Sequence, residues 1–326
     1  MNPRKFYLDI QTRSFVASDQ SSLPAETPLF YDEDVESIEL YFLARSTESG
    51  RVYDYVDYSA NTVKFAVGTT TPSASQVTWS AITSSVTATI TSLVTGGSGS
   101  NEQQRITFSP VPVSGGWAVQ LPSRNVTVSS VSANVFTAAD HGLYNGQSVS
   151  LTAFSFTASA VANGSSYFVI RNSKDTFTLA NTASSTTALT ATVTSGGGTV
   201  SLPAVTTGQL AYNAAPGSLQ NALAAAGLVE NNAAQILVTG SPGREYVLTY
   251  ANGSANRDYA NVSVVGSTLI GPVGLVANVS FATTGISSLV AAGTTSARLE
   301  VEVSNSGTGR KHTYQTACSL ASDIIP

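Results

Sequence analysis

The run Glu36-Ser-Ile-Glu-Leu-Tyr-Phe-Leu43 starts with polar and apolar residues in alternation and ends as an apolar stretch. Period two is the spacing of a strand with one face on a core, and a short continuous apolar run suits a strand covered on both faces. The period returns along the chain: at 62–67 (TVKFAV), 86–94 (VTATITSLV), 105–108, 117–121, 125–131, 148–151, 167–170 and 176–179. It continues at 235–238, 246–250, 261–265, 298–303 and 312–320. Gly, Pro, Asn and Ser separate these segments, as turns between strands require. The sequence therefore predicts a mostly β protein built of several small antiparallel sandwich or barrel domains.

One helix stands out at 218–226, with Ser218 as N-cap and Gly227 as stop. Leu219, Ala222, Leu223 and Ala226 share one face, so this helix is expected to pack on a sheet in the 204–282 region. A weaker helical turn is expected at 286–292. The glycine-rich stretches 96–100 and 195–198 lack the Gly-Lys-Ser/Thr ending of a phosphate loop, and read as hairpin tips or linkers.

Only 11% of the 326 residues are charged, against roughly 25% in an ordinary soluble domain. Such a surface suits a subunit held against neighbours better than a free monomer. An obligate homo-oligomer is expected, with a trimer favoured and strand edges covered by copies or other partners. The net charge of −5 and the lack of a basic cluster argue against nucleic acid. The single cysteine, Cys318, excludes an intrachain disulfide and a thiolate metal site. Alternating with Tyr314, Thr316 and Leu320, it is expected to be a buried strand residue. No run reaches the roughly 18 apolar residues of a membrane span, so no membrane insertion is expected. Met1-Asn-Pro-Arg-Lys5 is basic, as a secretion signal begins, but Asp9, Gln11, Arg13 and Ser14 interrupt the apolar region that should follow. The expectation is a chain made in a cytoplasm without a signal peptide.

Carboxylates gather at 32–36 and again at Asp54 and Asp57. A glycosidase needs two of them facing each other across a sugar, but 32–36 precedes an apolar strand as a solvated turn does. It also lacks the glycine of a calcium loop. His141 and His312 are far apart, and Asp140 adjoins His141 in sequence rather than facing it. No catalytic residue, metal site or cofactor is expected, and the chain is read as a non-enzyme. Tyr53, Tyr55 and Tyr58 in 51–58 (RVYDYVDY) mix rings with carboxylates. That is the composition of a carbohydrate or protein contact surface, or of a strand packed on its own sheet.

Three sets of residues resemble building blocks of tailed-phage proteins. Residues 136–147 (FTAADHGLYNGQ), 167–170 (YFVI) and 175–179 (DTFTL) contain the ordered pattern HGL-x-x-G, Y-x-V and D-T-F-x-L. It is carried by His141, Gly142, Leu143, Gly146, Tyr167, Asp175 and Phe177. This resembles the small β-barrel module of phage tail proteins named for the FCCH domain of ubiquitin-activating enzymes. The module there is a non-catalytic insertion, so no ubiquitin chemistry is implied. Residues 101–108 (NEQQRITF), Pro112 and 115–121 (GGWAVQL) resemble the start of a repeated phage module, with 210–223 (LAYNAAPGSLQNAL), 236–240 and 246–250 as its continuation. Residues 35–42 (VESIELYF) and 62–68 (TVKFAVG) resemble the N-terminal β domain of tail-fibre and baseplate proteins. Its closing hairpin is matched by 299–303 (LEVEV), 307–309, Tyr314 and 323–325.

These resemblances imply a nested order: 1–99 with 283–326, then 100–122 with 204–282, then an inserted module at 123–203. Insertion at an exposed turn is tolerated because loop closure grows only logarithmically with length. They further imply a virion protein of a tail, fibre or baseplate that contacts itself and other virion proteins. A receptor-binding adhesin touching a host surface is the alternative, and a decoration protein of the capsid or head fibre a further one. A host-encoded extracellular adhesin would need a secretion signal.

Overall fold

A computed structural model describes residues 3–31, 35–47, 52–68, 75–76, 78–97, 99–157, 159–193, 196–230, 232–255, 257–280, 294–305, 308 and 310–321. Period two is realised as strands almost throughout, and the fold is mostly β with one short α-helix among the described residues. The chain divides into two units, Met1–Val86 with Ile270–Pro326, and Thr87–Leu269.

The first unit is a sandwich. One sheet runs Ser21–Pro24, Ser14–Ser18, Arg4–Asp9, Val35–Arg45, Ile270–Ser280, Ser80–Ser85, and Tyr53–Val56 also pairs with Val35–Arg45. The other runs Leu29–Tyr31, Lys311–Ala321, Thr294–Ser304, Thr62–Gly68, Ser75–Gln76. Phe6, Leu8, Ile38, Leu40 and Phe42 from the first sheet meet Phe65, Leu299, Val301 and Tyr314 from the second in one core. The long apolar run of Val35–Arg45 has a direct cause. Ile38, Leu40 and Phe42 enter that core, while Leu43 packs with Val16 and Tyr53 on the opposite face.

Not every pairing is antiparallel. Arg4–Asp9 runs parallel to Val35–Arg45, and Leu29–Tyr31 runs parallel to Lys311–Ala321. In both cases the chain returns after a long excursion, which permits a crossover that a tight hairpin does not.

The unit boundaries also differ from the expected 99/100 and 282/283. Thr87–Val94 pairs with Gln103–Ser109 inside the second unit, whereas Ile270–Ser280 pairs with Val35–Arg45 and Ser80–Ser85 in the first. Residues 80–97 are uncharged from end to end, so no change of composition marks the crossing at 86/87.

Cys318 is 2% exposed in the sandwich core, and burial pushes its thiol pKa up to about 12. The thiolate is the reactive form. A thiol reagent is therefore expected to leave the native protein unmodified and to label one site per chain in denaturant. Fast labelling of the native protein would mean that the Lys311–Ala321 strand opens.

The second unit contains a four-stranded sheet ordered Thr87–Val94, Gln103–Ser109, Glu245–Tyr250, Ile236–Ser241. The helix Pro216–Ala225 packs on Ile236–Ser241, buries Leu219 and Leu223, and accepts the Val238 amide on Gln220 Oε1 (3.0 Å). Ser218 is not the N-cap. Ala215 stands there without a side-chain bond, and Pro216 opens the helix with its φ already fixed. The expected turn at 286–292 lies outside the described residues, as do 323–325. Strand Gly116–Leu121 pairs with Val205–Thr206, Leu210–Ala211 and Ser263–Val265.

Residues 123–203 form a module within this unit. Arg124–Val128 pairs with Gly198–Leu202, Arg124 opposite Leu202, and just outside it Leu121 stands opposite Val205. The module thus leaves and rejoins its host through adjacent strands. Those two strands join Ser130–Ser132, Val135–Thr137, Ser148–Thr152, Ser166–Arg171 and Thr176–Ala180 in one seven-stranded sheet. The sheet supplies a core of its own, with Phe136, Leu151, Phe177, Leu179 and Val200 all buried in it. One sheet filling one core from a single face is the arrangement of a curled, barrel-like sheet.

Candidate functional site

The signature residues of the inserted module are mostly internal. Phe177 is fully buried, stacks on Phe136 (5.3 Å between centroids) and meets the His141 ring edge-on (5.2 Å). Leu143 is buried, and the Tyr167 hydroxyl accepts the Ala162 amide (2.8 Å). Asp175 accepts the Asp140 amide (2.8 Å), which closes the 138–141 turn on the 173–176 turn. Gly142 and Gly146 hold φ of +56° and +78°, a region where glycine carries no Cβ penalty.

His141 is fully buried and accepts the Leu143 amide on Nδ1 (2.9 Å). Burial lowers its pKa below the usual imidazole value and outweighs the carbonyls of Thr176 and Ser173, which favour the proton. Its contacts are those of a structural ring, one amide held and one aromatic ring met. An unfolded-state histidine titrates near about pH 6.5. With the folded pKa lower, the unfolded chain takes the proton first as pH falls. The His141 contribution is therefore complete above the unfolded pKa and lost on the way down to the folded one. Melting temperature is expected to drop between about pH 7.5 and pH 5.5. His141→Asn, which keeps an acceptor for the Leu143 amide, should flatten that part of the profile. An unchanged slope in the variant would assign the dependence elsewhere.

The turn that follows His141 reaches out of the module to its host. The Tyr144 hydroxyl donates to the Gly227 carbonyl (2.8 Å) just past the helix. Asn145 donates its amide and its Nδ2 to Glu230 Oε1 (3.0 and 2.6 Å). On the neighbouring strand, Arg124 Nη2 donates to the Gly142 carbonyl (3.3 Å), and its guanidinium lies 5.2 Å from the centroid of Tyr259. Tyr259 stacks face to face on Tyr250 (4.2 Å, 9°). Burial raises the pKa of Tyr144 and of Tyr250, so both phenols stay protonated at neutral pH.

Host residues fix Tyr259 through its backbone. Buried Gln104 donates Nε2 to the carbonyls of Tyr259 (3.1 Å) and Ala260 (3.3 Å), and accepts the Val262 amide (2.9 Å). Glu102 in turn accepts from Gln104 (3.1 Å) and from the Gly96 amide (2.6 Å). A cavity of about 90 Å³ remains at this seat, lined by Arg124, Tyr144, Tyr250 and Tyr259 with Leu121, Leu202, Leu228 and Ile236 among its apolar walls.

Tyr53, Tyr55 and Tyr58, read as a contact surface or as a strand packed on its own sheet, all take part in packing in the first unit. Tyr53 is 1% exposed, and its hydroxyl donates to Asp9 (2.9 Å). Burial, then Asp9, pushes the Tyr53 pKa up to about 12. Tyr58 stacks on Phe42 (4.5 Å), so it too packs on its own sheet. Tyr55 packs on the same outer face as Tyr53, edge-on to Tyr41 (5.7 Å), which stacks on Tyr7 (5.6 Å); its hydroxyl donates to Asp19 (2.9 Å). Asp57 accepts the Ser59 amide (2.8 Å) as a turn residue does, and Glu36 pairs with Arg4 (3.0 Å). Residues 32–34 lie outside the described residues.

Among the described residues, no three His, Cys, Asp or Glu side chains come together as a metal site, and no helix is long and apolar enough to cross a membrane. Comparison with known protein families, known proteins and solved structures found no match. Among the described residues the seat brings together aromatic rings, the Arg124 guanidinium and the Glu230 carboxylate that accepts from Asn145.

Proposed function

We propose that the chain is a non-enzymatic structural component of a tailed-phage virion, a tail, fibre or baseplate protein that works through contacts with its own copies and with other virion proteins. The observation that carries this reading is the use of the HGL-x-x-G turn. Its corner, Tyr144 and Asn145, docks one module on another instead of presenting reactive groups. The charge-poor composition and the uncharged strand edge at Thr87–Val94 support a subunit covered by neighbours, for which a threefold assembly is the favoured symmetry. Peptide mass spectrometry of purified particles should find the chain at a fixed copy number. Its absence from intact particles would remove the reading.

A receptor-binding role is the second reading, and the Tyr7, Tyr41 and Tyr55 cluster beside Asp19 favours it, since stacked rings with carboxylates suit sugar faces. Binding of the purified chain to host-surface glycan, lost in Tyr55→Ala and Tyr7→Ala, would select it over the first.

A further inference from the structure

At the seat of the inserted module, Arg124 carries a charge that no carboxylate answers. Among the described residues it forms no ion pair, and Nη1 is sealed from solvent without a hydrogen-bond partner. The hydroxyl of Tyr259 is sealed and unpartnered as well. Buried polar groups are nearly always satisfied, so two orphans in one place call for an explanation. They also converge. A Cβ built on Gly142 would stand 2.9 Å from the Tyr259 hydroxyl and 3.3 Å from Arg124 Nη1, with Arg257 Cδ at 2.7 Å.

Arg257 passes its side-chain stem by the same corner, with its charge near enough to act on Arg124 and no ion pair among the described residues. Burial, opposed by the nearby tyrosines and reinforced by Arg257, holds the Arg124 pKa below its usual value. The Glu230 carboxylate at the far side of the seat is taken up by Asn145. The Arg124 guanidinium and the Tyr259 phenol therefore face a small, largely apolar cavity with Gly142 in its wall, and Arg257 stands behind that corner. A desolvated cation needs an opposite charge to be stable, and a guanidinium fork matches the geometry of an oxyanion.

We propose that this seat binds a small oxyanion of the carboxylate or phosphate class, with Arg124 and Arg257 supplying the charge and the Tyr259 hydroxyl a hydrogen bond. Arg124 belongs to the first strand of the inserted module, whereas Arg257 and Tyr259 belong to the host. The anion ties the one to the other. Gly142 is glycine here for a second reason besides its φ, because a methyl group would fill the corner where the donors meet. The inference rests on the geometry of the seat and is independent of the virion reading, since particle composition tests the one and anion binding the other.

The test is thermal melting of the full chain at constant ionic strength, with chloride replaced stepwise by inorganic phosphate in one series and by acetate in another. Wild type is expected to show a saturable stabilisation, about a tenfold rise in the folding constant once the anion reaches roughly ten times its dissociation constant. Arg124→Met should lose that response. Tyr259→Phe, which keeps the ring stack and removes only the hydroxyl, should weaken it, and stands in should Arg124→Met not fold. A response in phosphate alone assigns the phosphate class, and one in both series assigns the carboxylate class too. The proposal is overturned if wild type does not respond, or if wild type and the variants rise equally, which is a general salt effect on the protein surface.

Discussion

Trp117→Ala is expected to destabilise the Thr87–Leu269 unit by about 4 kcal/mol, in the range found when a buried aromatic is cut back to alanine. The ring is fully buried, edge-on to Phe108 (4.9 Å) and tilted against Tyr246 (5.1 Å). Its Nε1 donates to the Ala211 carbonyl (3.0 Å), so truncation opens a cavity and removes a hydrogen bond together. The strand that carries it pairs with three others, which leaves the backbone little room to collapse into the gap. Trp117→Phe separates the two effects, keeping most of the ring and losing the donor, for about 1–2 kcal/mol. Chemical denaturation followed by circular dichroism measures both, and Trp79 remains as a fluorescent reporter in the first unit. A Trp117→Ala midpoint close to wild type would mean that this strand is not the centre of the unit.

Excision of 123–203 is the larger perturbation, yet it should leave a folded protein. Leu121 already stands opposite Val205, so joining Pro122 to Ala204 makes a two-residue link in a hairpin that is in register. Asn-Gly at those two places suits the type I′ turn that such links prefer. The module carries its own core, and each piece is expected to fold when expressed alone. The host should melt at a lower temperature than the intact unit, because removing the module uncovers Leu228, Ile236 and the Tyr250–Tyr259 stack. Dispersed amide spectra and cooperative melting of both pieces are the expected result. A molten host would show that the module is part of its core rather than a guest.

Much of this architecture was legible because period two and turn residues are local signals. The strand around Ile38 and Leu40, the buried alternation at Tyr314 and Cys318, and the helix face of Leu219 and Leu223 can each be read within a dozen residues. What could not be read depends on distant partners. Tyr53 looks like a surface residue until Asp9 is placed beside it. The parallel strand pairs join segments whose sequences say nothing about direction. The 86/87 crossing is hidden in a stretch of one composition. At the seat, the pattern HGL-x-x-G drew attention to its fixed letters, while the docking is done by Tyr144 and Asn145, the two positions the pattern leaves free. Arg124 and Tyr259 belong to no motif. Only the fold brings them together.

The nesting of strands also sets a schedule for synthesis. The ribosome emits Arg4–Asp9 and Val35–Arg45 early, but the latter pairs with Ile270–Ser280, and the second sheet waits for Thr294–Ser304 and Lys311–Ala321. The innermost module can close once Gly198–Leu202 has emerged, and its host once Ser263–Val265 has followed. Folding should therefore run from the inside outward, against the usual N-terminal-first order of multidomain chains. During that interval the earliest strands wait with Phe6, Leu8 and Phe42 uncovered. A chain truncated before residue 294 should associate with chaperones far more than one truncated after 321.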